Sequence, residues 1–287
     1  MSGSRVSSSA PAGGAQPLVS VCVPTYKGAG CIAATIESVL AQSYANFELL
    51  IVDDRSPDDT LAVVAKYSDP RIRCLVNDKN LGAEGNWNRC LELARGEYYK
   101  LLPHDDVLAP DCLREQVAVL QADGADKIAV VFGWRQIIDS AGKPLMKRGL
   151  PGGQRGAVRG AELMRRCVRG GTNLIGEPGN GLMRLSLARR LGPYDSSQPY
   201  MIDLDYWFRA LMHGDGFYTD TFSTSFRISK TSWSFAIGQR QFADFRAFVA
   251  RFAALPGSTA SALDTGIGLL RARISMVLRL ALYRFMR

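Results

Sequence analysis

From residue 18 to residue 134 the chain alternates without interruption between short apolar, β-branched runs and segments with apolar residues at helical spacing. The runs "LVSVCVPTY" (18–26), "FELLIVDD" (47–54), "RIRCLVN" (71–77), "EYYKLLP" (97–103) and "KIAVVFGW" (127–134) are predicted strands. Between them, "CIAATIESVLAQS" (31–43), "SPDDTLAVVAKY" (56–67), "GNWNRCLELA" (85–94) and "PDCLREQVAVLQAD" (110–123) are predicted helices. The third of these stops at Gly96, and the second carries an N-cap Ser56 with Pro57 at the first helical position. A strand that is apolar along its whole length must be covered on both faces. The alternation therefore dictates an α/β fold: a Rossmann-like, doubly wound, mostly parallel sheet flanked by helices.

In such sheets ligands bind beyond the carboxyl ends of the strands, near the point where the strand order reverses. Three features are thereby expected on one rim: Pro24–Thr25–Tyr26, Asp53–Asp54 and Asp105–Asp106. Asp53 and Asp54 either cap the helix that follows or accept hydrogen bonds from a nucleotide's base or ribose. The Asp105–Asp106 pair is spare as a cap, because Asp111 already stands at the start of the next helix after Pro110. Adjacent carboxylates at a strand end suit a divalent cation, Mg²⁺ or Mn²⁺, whose shell is completed by phosphate oxygens and water. His104 stands either against a diphosphate or as a turn residue packed on its neighbours. Neither a P-loop G-x-x-x-x-G-K-[ST] nor a G-x-G-x-x-G follows the first strand, which counts against a P-loop ATPase and a Rossmann dehydrogenase.

Beyond residue 134 the pattern weakens. Residues 135–180 are expected to be loops with one helix near "GAELMRRCVR" (160–169). "IDLDYWFRALMHG" (202–214) is predicted to be an amphipathic helix, followed by two short strands, "GFYTD" and "FSTSFRIS". Asp203 and Asp205 lie two residues apart on that helix, so only one of them can face a cleft. Asp203, in the first turn, is either an N-terminal cap or a general base toward an acceptor hydroxyl.

Residues 227–287 hold ten Lys and Arg against only Asp244 and Asp264, so the whole net charge of +8 belongs to this part. Residues 236–287 are expected to form a basic helical extension. Its segment 265–287 carries five arginines, too many for a span across a bilayer, and fits either an anionic membrane surface or a packed helix. "MSGSRVSSSAPAGGAQP" has no apolar signal segment, and residues 1–16 are expected to be a disordered leader. The six cysteines form no C-x-x-C pair and fit buried thiols in a reducing compartment; with two histidines, a zinc site is not expected. These features point to a cytoplasmic protein, peripheral on the inner face of the cell membrane where the basic tail engages it.

The stretches "VSVCVPTYKGAGCIAATIESVLAQSYANFELLIVDDRSPDDT" and "NLGAEGNWNRCLELARGEYYKLLPHDDVLAPDCL" resemble the N-terminal half of family 2 glycosyltransferases, which have the GT-A fold. "YDSSQPYMIDLDYWFR" resembles their later acceptor-side motif. The resemblance implies a GT-A domain over 17–235, with a nucleotide-binding half (17–134) and an acceptor half (135–235). It implies that Pro24, Thr25 and Tyr26 line the base pocket and that Asp54 contacts the base, with Asp53 beside it. It also implies that Asp106 is the direct metal ligand, that Asp105 binds metal or ribose, and that Asp203 is the catalytic base. Pro103 stands where many relatives carry a further acid, and Ile202 where they carry the Glu of an E-D pair. Near Ser229, where a His is often found, Arg227 and Lys230 are expected to assist the diphosphate. The activity implied is inverting, metal-dependent transfer of a sugar from a nucleotide-diphosphate sugar to a hydroxyl of a glycan or lipid-linked acceptor, in cell-surface polysaccharide synthesis. Two other classes fit less well. A sugar-phosphate nucleotidyltransferase would need a Gly-rich, basic signature after the first strand, where only Lys27 and two glycines stand. A non-enzymatic nucleotide or polyanion-binding module leaves the five aspartates without a purpose, and no nucleic acid partner is expected.

Overall fold

The computed structural model describes residues 16–229, 237–254 and 260–285, the last six of these by backbone alone. The expected leader therefore falls outside the described residues except for Gln16, and so does Lys230. In chain order the first half reads β1 (Val19–Thr25), α1 (Ile32–Leu40), β2 (Phe47–Asp53), α2 (Thr60–Val64), β3 (Ile72–Val76), α3 (Gly82–Leu93), β4 (Tyr98–Leu101), β5 (Val107–Leu108) and α4 (Cys112–Ala122). The second half reads β6 (Ile128–Ile138), β7 (Pro144–Arg148), β8 (Gly156–Val158), α5 (Gly160–Gly170), β9 (Gly181–Arg184), α6 (Leu185–Leu191), α7 (Ile202–Leu211), β10 (Asp215–Arg227), α8 (Gln241–Ala253) and α9 (Ala262–Phe285).

One sheet runs in the order β3-β2-β1-β4-β9-β6-β10-β5, with β7 paired to β6 and β8 to β10. The pairs β3–β2, β2–β1, β1–β4 and β6–β10 are parallel, while β9 joins β4 and β6 antiparallel to both. Every residue of β1 is buried, as its unbroken apolar run requires. The chain winds from β1 outward through β2 to β3 and returns to the other side of β1 as β4, so the strand order reverses between β1 and β4.

Helices cover both faces. On one, α1 and α4 bury Ile32, Ile36, Leu113 and Val117 with Val21 and Ile51. On the other, α3, α5, α7 and α8 bury Cys90, Leu163, Tyr206 and Phe248 with Phe132 and Leu50. Helix α1 buries Ile32, Thr35, Ile36 and Val39, the spacing of a single helical face.

Four local expectations are corrected. Helix α2 begins at Thr60, not after Ser56, because Ser56 is held in the loop: its N–H donates to Asp53 Oδ2 and its Oγ accepts from Lys27 N–H. Residues 135–180 are not mainly loop; β6 continues to Ile138 and folds back as β7. The two short strands are one, β10, interrupted by a bulge where Asp220 takes φ +54° and the register against β6 shifts. Helix α7 is buried nearly all round because the sheet, α5, α6 and α8 enclose it. Of the cysteines, Cys22, Cys90, Cys112 and Cys167 are buried thiols, whereas Cys74 on the edge strand β3 is exposed; all six are free.

Candidate active site

The parallel register of β1 on β2 sets Thr25 against Asp53 at the carboxyl ends of both strands. Both are buried, and among the described residues Thr25 Oγ1 and Asp53 Oδ1 make no hydrogen bond. Buried polar atoms left without partners are rare and need a ligand or solvent to satisfy them. Asp54 is occupied differently. Its Oδ1 accepts from Leu81 N–H and Asn77 Nδ2, and its Oδ2 accepts from Gly82 N–H, the first residue of α3. It thus satisfies the amides that the helix itself leaves open. Three donors converge on Asp54, whereas Asp53 Oδ1 is left without one among the described residues.

The loop after β1 is tied to the loop after β2 by Lys27 N–H to Ser56 Oγ and Gly28 N–H to Thr60 Oγ1. A Cβ on Gly28 would lie 2.5 Å from Thr25 Oγ1 and 2.9 Å from the His104 ring, so only glycine lets these two groups close on the loop. His104 therefore packs at the same strand ends as Thr25. Tyr26 is exposed beside it, and Pro24 lies within the buried end of β1.

The turn after β4 carries the acid pair. Thr35 Oγ1 donates to the carbonyls of His104 and Asp106, fixing the turn against α1. Asp105 is half-buried and lines a cavity of about 580 Å³. Asp106 is buried behind it, with Oδ1 accepting from Arg227 N–H. Burial and the charge of Asp105 push the Asp106 carboxyl well up. Two carboxylates held together in this way call for a cation. Among the described residues no group of three His, Cys, Asp or Glu side chains converges to hold one. Two oxygen-only side chains of this kind fit a divalent cation such as Mg²⁺, which takes one or two carboxylates. Asp105 faces the cavity and Asp106 lies buried behind it. Arg227 is not free to meet a diphosphate with its whole fork: Nε donates to Asp105 O, and Nη1 to the carbonyls of Asp139 and Ser140. Its guanidinium instead clamps the acid turn to the β6–β7 hairpin.

Asp203 lies on the wall of the same cavity, at the first turn of α7. Its Oδ2 accepts from Asn173 Nδ2 at 3.1 Å and its Oδ1 from Leu204 N–H at 2.7 Å. Burial and then the negative charge of Glu177 raise its carboxyl from 3.8 to about 7. Asp205 points the other way and pairs with Arg209 and Arg251. A carboxylate poised near 7 on a cavity wall is matched to general-base work at neutral pH.

A model of glycosyl transferase family 2 matches residues 20–192. The chain belongs to this family. Over 123 residues, 43% of this chain and 47% of the relative, it is 37% identical to the E. coli UDP-Glc:α-D-GlcNAc-diphosphoundecaprenol β-1,3-glucosyltransferase WfgD. The matched stretches span less than two thirds of the length of such curated relatives. The fold matches S. aureus TarS 1–349 in complex with UDP-GlcNAc, with a TM-score of 0.65 at 17% identity, covering 89% of this chain and 71% of that one. It also matches a mannosyltransferase of Pyrobaculum calidifontis solved with GDP-Man and Mn²⁺, with a TM-score of 0.57 at 16% identity, covering 93% and 76% of the two chains. The architecture is thus the GT-A fold.

In this family 2 chain the strand ends and acid turn are set by residues visible in sequence, but four wall residues of the cavity carry no such mark. Arg135 in β6 is buried, forms an ion pair with Glu177 and donates from Nη2 to Asn173 O. Asn173 Oδ1 accepts from Ile175 and Gly176 N–H, closing a turn that also presents its amide to Asp203. A Cβ on Gly176, whose φ is +111°, would lie 3.0 Å from Arg135 Cδ. Arg148 completes the set on β7. The available signal was Arg135 itself, a charge inside the apolar run "VVFGWRQII". Beneath the turn, Lys100 is fully buried in β4 and donates from Nζ to Gly179 O and Gly181 O. Burial lowers its pKa.

Proposed function

We propose that this chain is an inverting glycosyltransferase that moves a sugar from a nucleotide-diphosphate sugar to a hydroxyl of a glycan or lipid-linked acceptor, in cell-surface polysaccharide synthesis. The observation that carries the reading is that Asp105 and Asp203 line one cavity, the first at the acid turn and the second as a carboxylate held near neutrality. The nucleotide lies over the strand ends, where Thr25 Oγ1 and Asp53 Oδ1 supply free acceptors and Tyr26 an exposed ring. Asp53, rather than Asp54, accepts from the base or ribose. Asp105, with Asp106 behind it, would hold a divalent cation. When bound, that cation supplies Lewis-acid neutralisation of the departing nucleoside diphosphate. Asp203 accepts the proton of the acceptor hydroxyl while its oxygen attacks the anomeric carbon from the face opposite the leaving group. The bond to the diphosphate oxygen breaks, and the configuration inverts.

The reading is supported by the relative WfgD, whose acceptor is a diphosphoundecaprenol-linked sugar, and by structural neighbours solved with UDP-GlcNAc and with GDP-Man and Mn²⁺. No described helix is long and apolar enough to cross a membrane. Helix α9 instead packs on α5 and α8 and leaves Leu263, Leu270, Ile274 and Val277 exposed along one stripe, with Arg271 and Arg273 beside it. This face suits an anionic lipid surface. The decisive experiment is a thermal-shift and hydrolysis screen of UDP-Glc, UDP-GlcNAc and GDP-Man with and without Mn²⁺. A stabilised, slowly hydrolysed donor is expected, and no response to any nucleotide sugar refutes the assignment.

A further inference from the structure

Beyond Asn173, the cavity that holds Asp105 and Asp203 runs into a second one of about 510 Å³, and the two share Arg135, Arg148, Thr172, Asn173 and Ser275 as walls. The seam between them is cationic. Arg135 is balanced by Glu177. Arg148 is half-buried and pairs through its backbone with β6, but among the described residues its guanidinium makes no hydrogen bond or ion pair. Its guanidinium lies where burial and the like charges of Arg135 and Arg279 act against it, opposed by the charge of Glu177. Lys147, next to it, rests its ammonium over the Trp134 ring at 3.9 Å. Arg279, from α9, stacks on Tyr200 at 5.5 Å and also lines the larger cavity. An unpaired guanidinium fork on a cavity wall is an anion receptor without its anion.

The mouth beside the seam is apolar. Leu145 and Met146 on β7 and Leu278 on α9 all line the cavity and are 45%, 46% and 64% exposed. Leu278 sits on the helix that carries the exposed apolar stripe. Along one path, then, lie a base for a hydroxyl, a cationic seam and an apolar exit.

We propose that this path binds an acceptor of one chemical class: a sugar joined through a phosphate or diphosphate to a long hydrocarbon chain. The sugar hydroxyl reaches Asp203, the phosphate is held by Arg148 and Arg279 with Lys147 at the edge, and the chain leaves between Leu145, Met146 and Leu278. The proposal rests on the glycosyltransferase reading and names the acceptor-binding residues for it. It also gives α9 a place in the acceptor site.

The test uses decyl diphosphate as the probe and decanol as its uncharged counterpart, by calorimetry on the full chain. The nucleotide identified by the donor screen is kept saturating with Mn²⁺, so that the donor site is closed to the probe. The wild-type chain is expected to bind decyl diphosphate at least about tenfold more tightly than decanol, and Arg148→Gln combined with Arg279→Gln to abolish the difference, whereas Arg148→Lys retains most of it. The Kd of the nucleotide sugar, measured on the same chains in separate samples without the saturating nucleotide, is expected to stay unchanged. Equal affinity of the wild type for the two probes, or an unchanged decyl diphosphate Kd in the double variant, overturns the proposal. If the double variant shows no thermal transition, Arg279→Gln alone is measured against the same criterion. A wild-type chain that takes up decyl diphosphate through Arg148 yet binds no nucleotide sugar refutes the glycosyltransferase reading and leaves the anion site standing.

Discussion

Replacing Asp203 by Asn separates its catalytic use from its structural cost. Its carboxyl is raised from 3.8 to about 7, so the folded chain holds that proton more tightly than the unfolded chain does. The stability due to the protonated form is fully present below about pH 4 and is lost as pH rises through about 7. At roughly 1.4 kcal/mol per pH unit, ionising Asp203 in the folded state costs about 4 kcal/mol by pH 8.5. The amide of the variant escapes that cost. It replaces one acceptor by a donor, however, so either Leu204 N–H or the Asn173 amide loses its partner, at about 1–2 kcal/mol. By pH 5 the wild type has already lost about 1.7 kcal/mol of that stability, so the D203N chain is expected to be about 2–3 kcal/mol more stable than wild type at pH 8.5 and within about 1 kcal/mol of it at pH 5. Urea unfolding of both chains at the two pH values, without nucleotide or metal, reads this growing difference directly. Other titrating groups cancel in the difference between the chains. Turnover of D203N is expected to fall by about 10²–10⁴-fold with nucleotide-sugar binding retained. Wild-type turnover should rise about tenfold per pH unit below pH 7 and level off above it. A stability difference that is the same at pH 5 and pH 8.5 refutes the burial argument, and unchanged turnover refutes the base.

Asp105→Asn is expected to remove most Mn²⁺-dependent donor binding, whereas Asp106→Asn should weaken it less and stabilise the metal-free chain by relieving a buried like-charge pair; isothermal titration of the donor with and without Mn²⁺ distinguishes the two. Lys100→Met leaves the carbonyls of Gly179 and Gly181 without their donor and should cost roughly 2–4 kcal/mol in urea unfolding. Gly268→Ala would place a Cβ 1.9 Å from Val168 O, so α9 must shift off α5, and protection of α9 amides in hydrogen exchange should drop while that of β1 is unchanged. Arg271→Glu together with Arg273→Glu reverses the charge beside the exposed stripe and should abolish co-sedimentation with vesicles containing anionic lipid, leaving binding to the nucleotide sugar unaffected.

The donor half was legible because each of its strands is a continuous apolar run ending at a polar turn, and the parallel order then carries those ends to one rim. The same signal fails at β6. There the run continues past Trp134 through Arg135 and Gln136, and a charge inside a strand reads as its end. What makes Arg135 tolerable is Glu177, which arrives from a distant turn. Strand ends were also ambiguous by one residue. Asp53 and Asp54 look alike in sequence, but successive residues of an extended chain point to opposite sides. Asp54 meets the start of α3, and Asp53 keeps a free oxygen. For Asp105 and Asp106 the deciding partner is Arg227 N–H, at the far end of a strand whose bulge was invisible in the pattern.

Long-range placement also explains why the basic excess of the C-terminal part does not act as a simple tail. Asp264, its second acid, is buried and pairs with Arg165 and Arg169 of α5, locking the start of α9 onto the domain. The close crossing at Gly171 and Gly268 then fixes the rotation of α9 about its axis. With that rotation set, Ala272 faces inward, Ser275 and Arg279 face the cavities, and Leu270, Ile274 and Val277 face out. Had the helix been free to roll, its arginines would serve any polyanion. Held in this orientation, the helix whose exposed stripe would meet a lipid surface under the proposed reading also carries Arg279 to the cavity wall, so that reading makes approach to a membrane and capture of a membrane-borne acceptor one geometric requirement on α9.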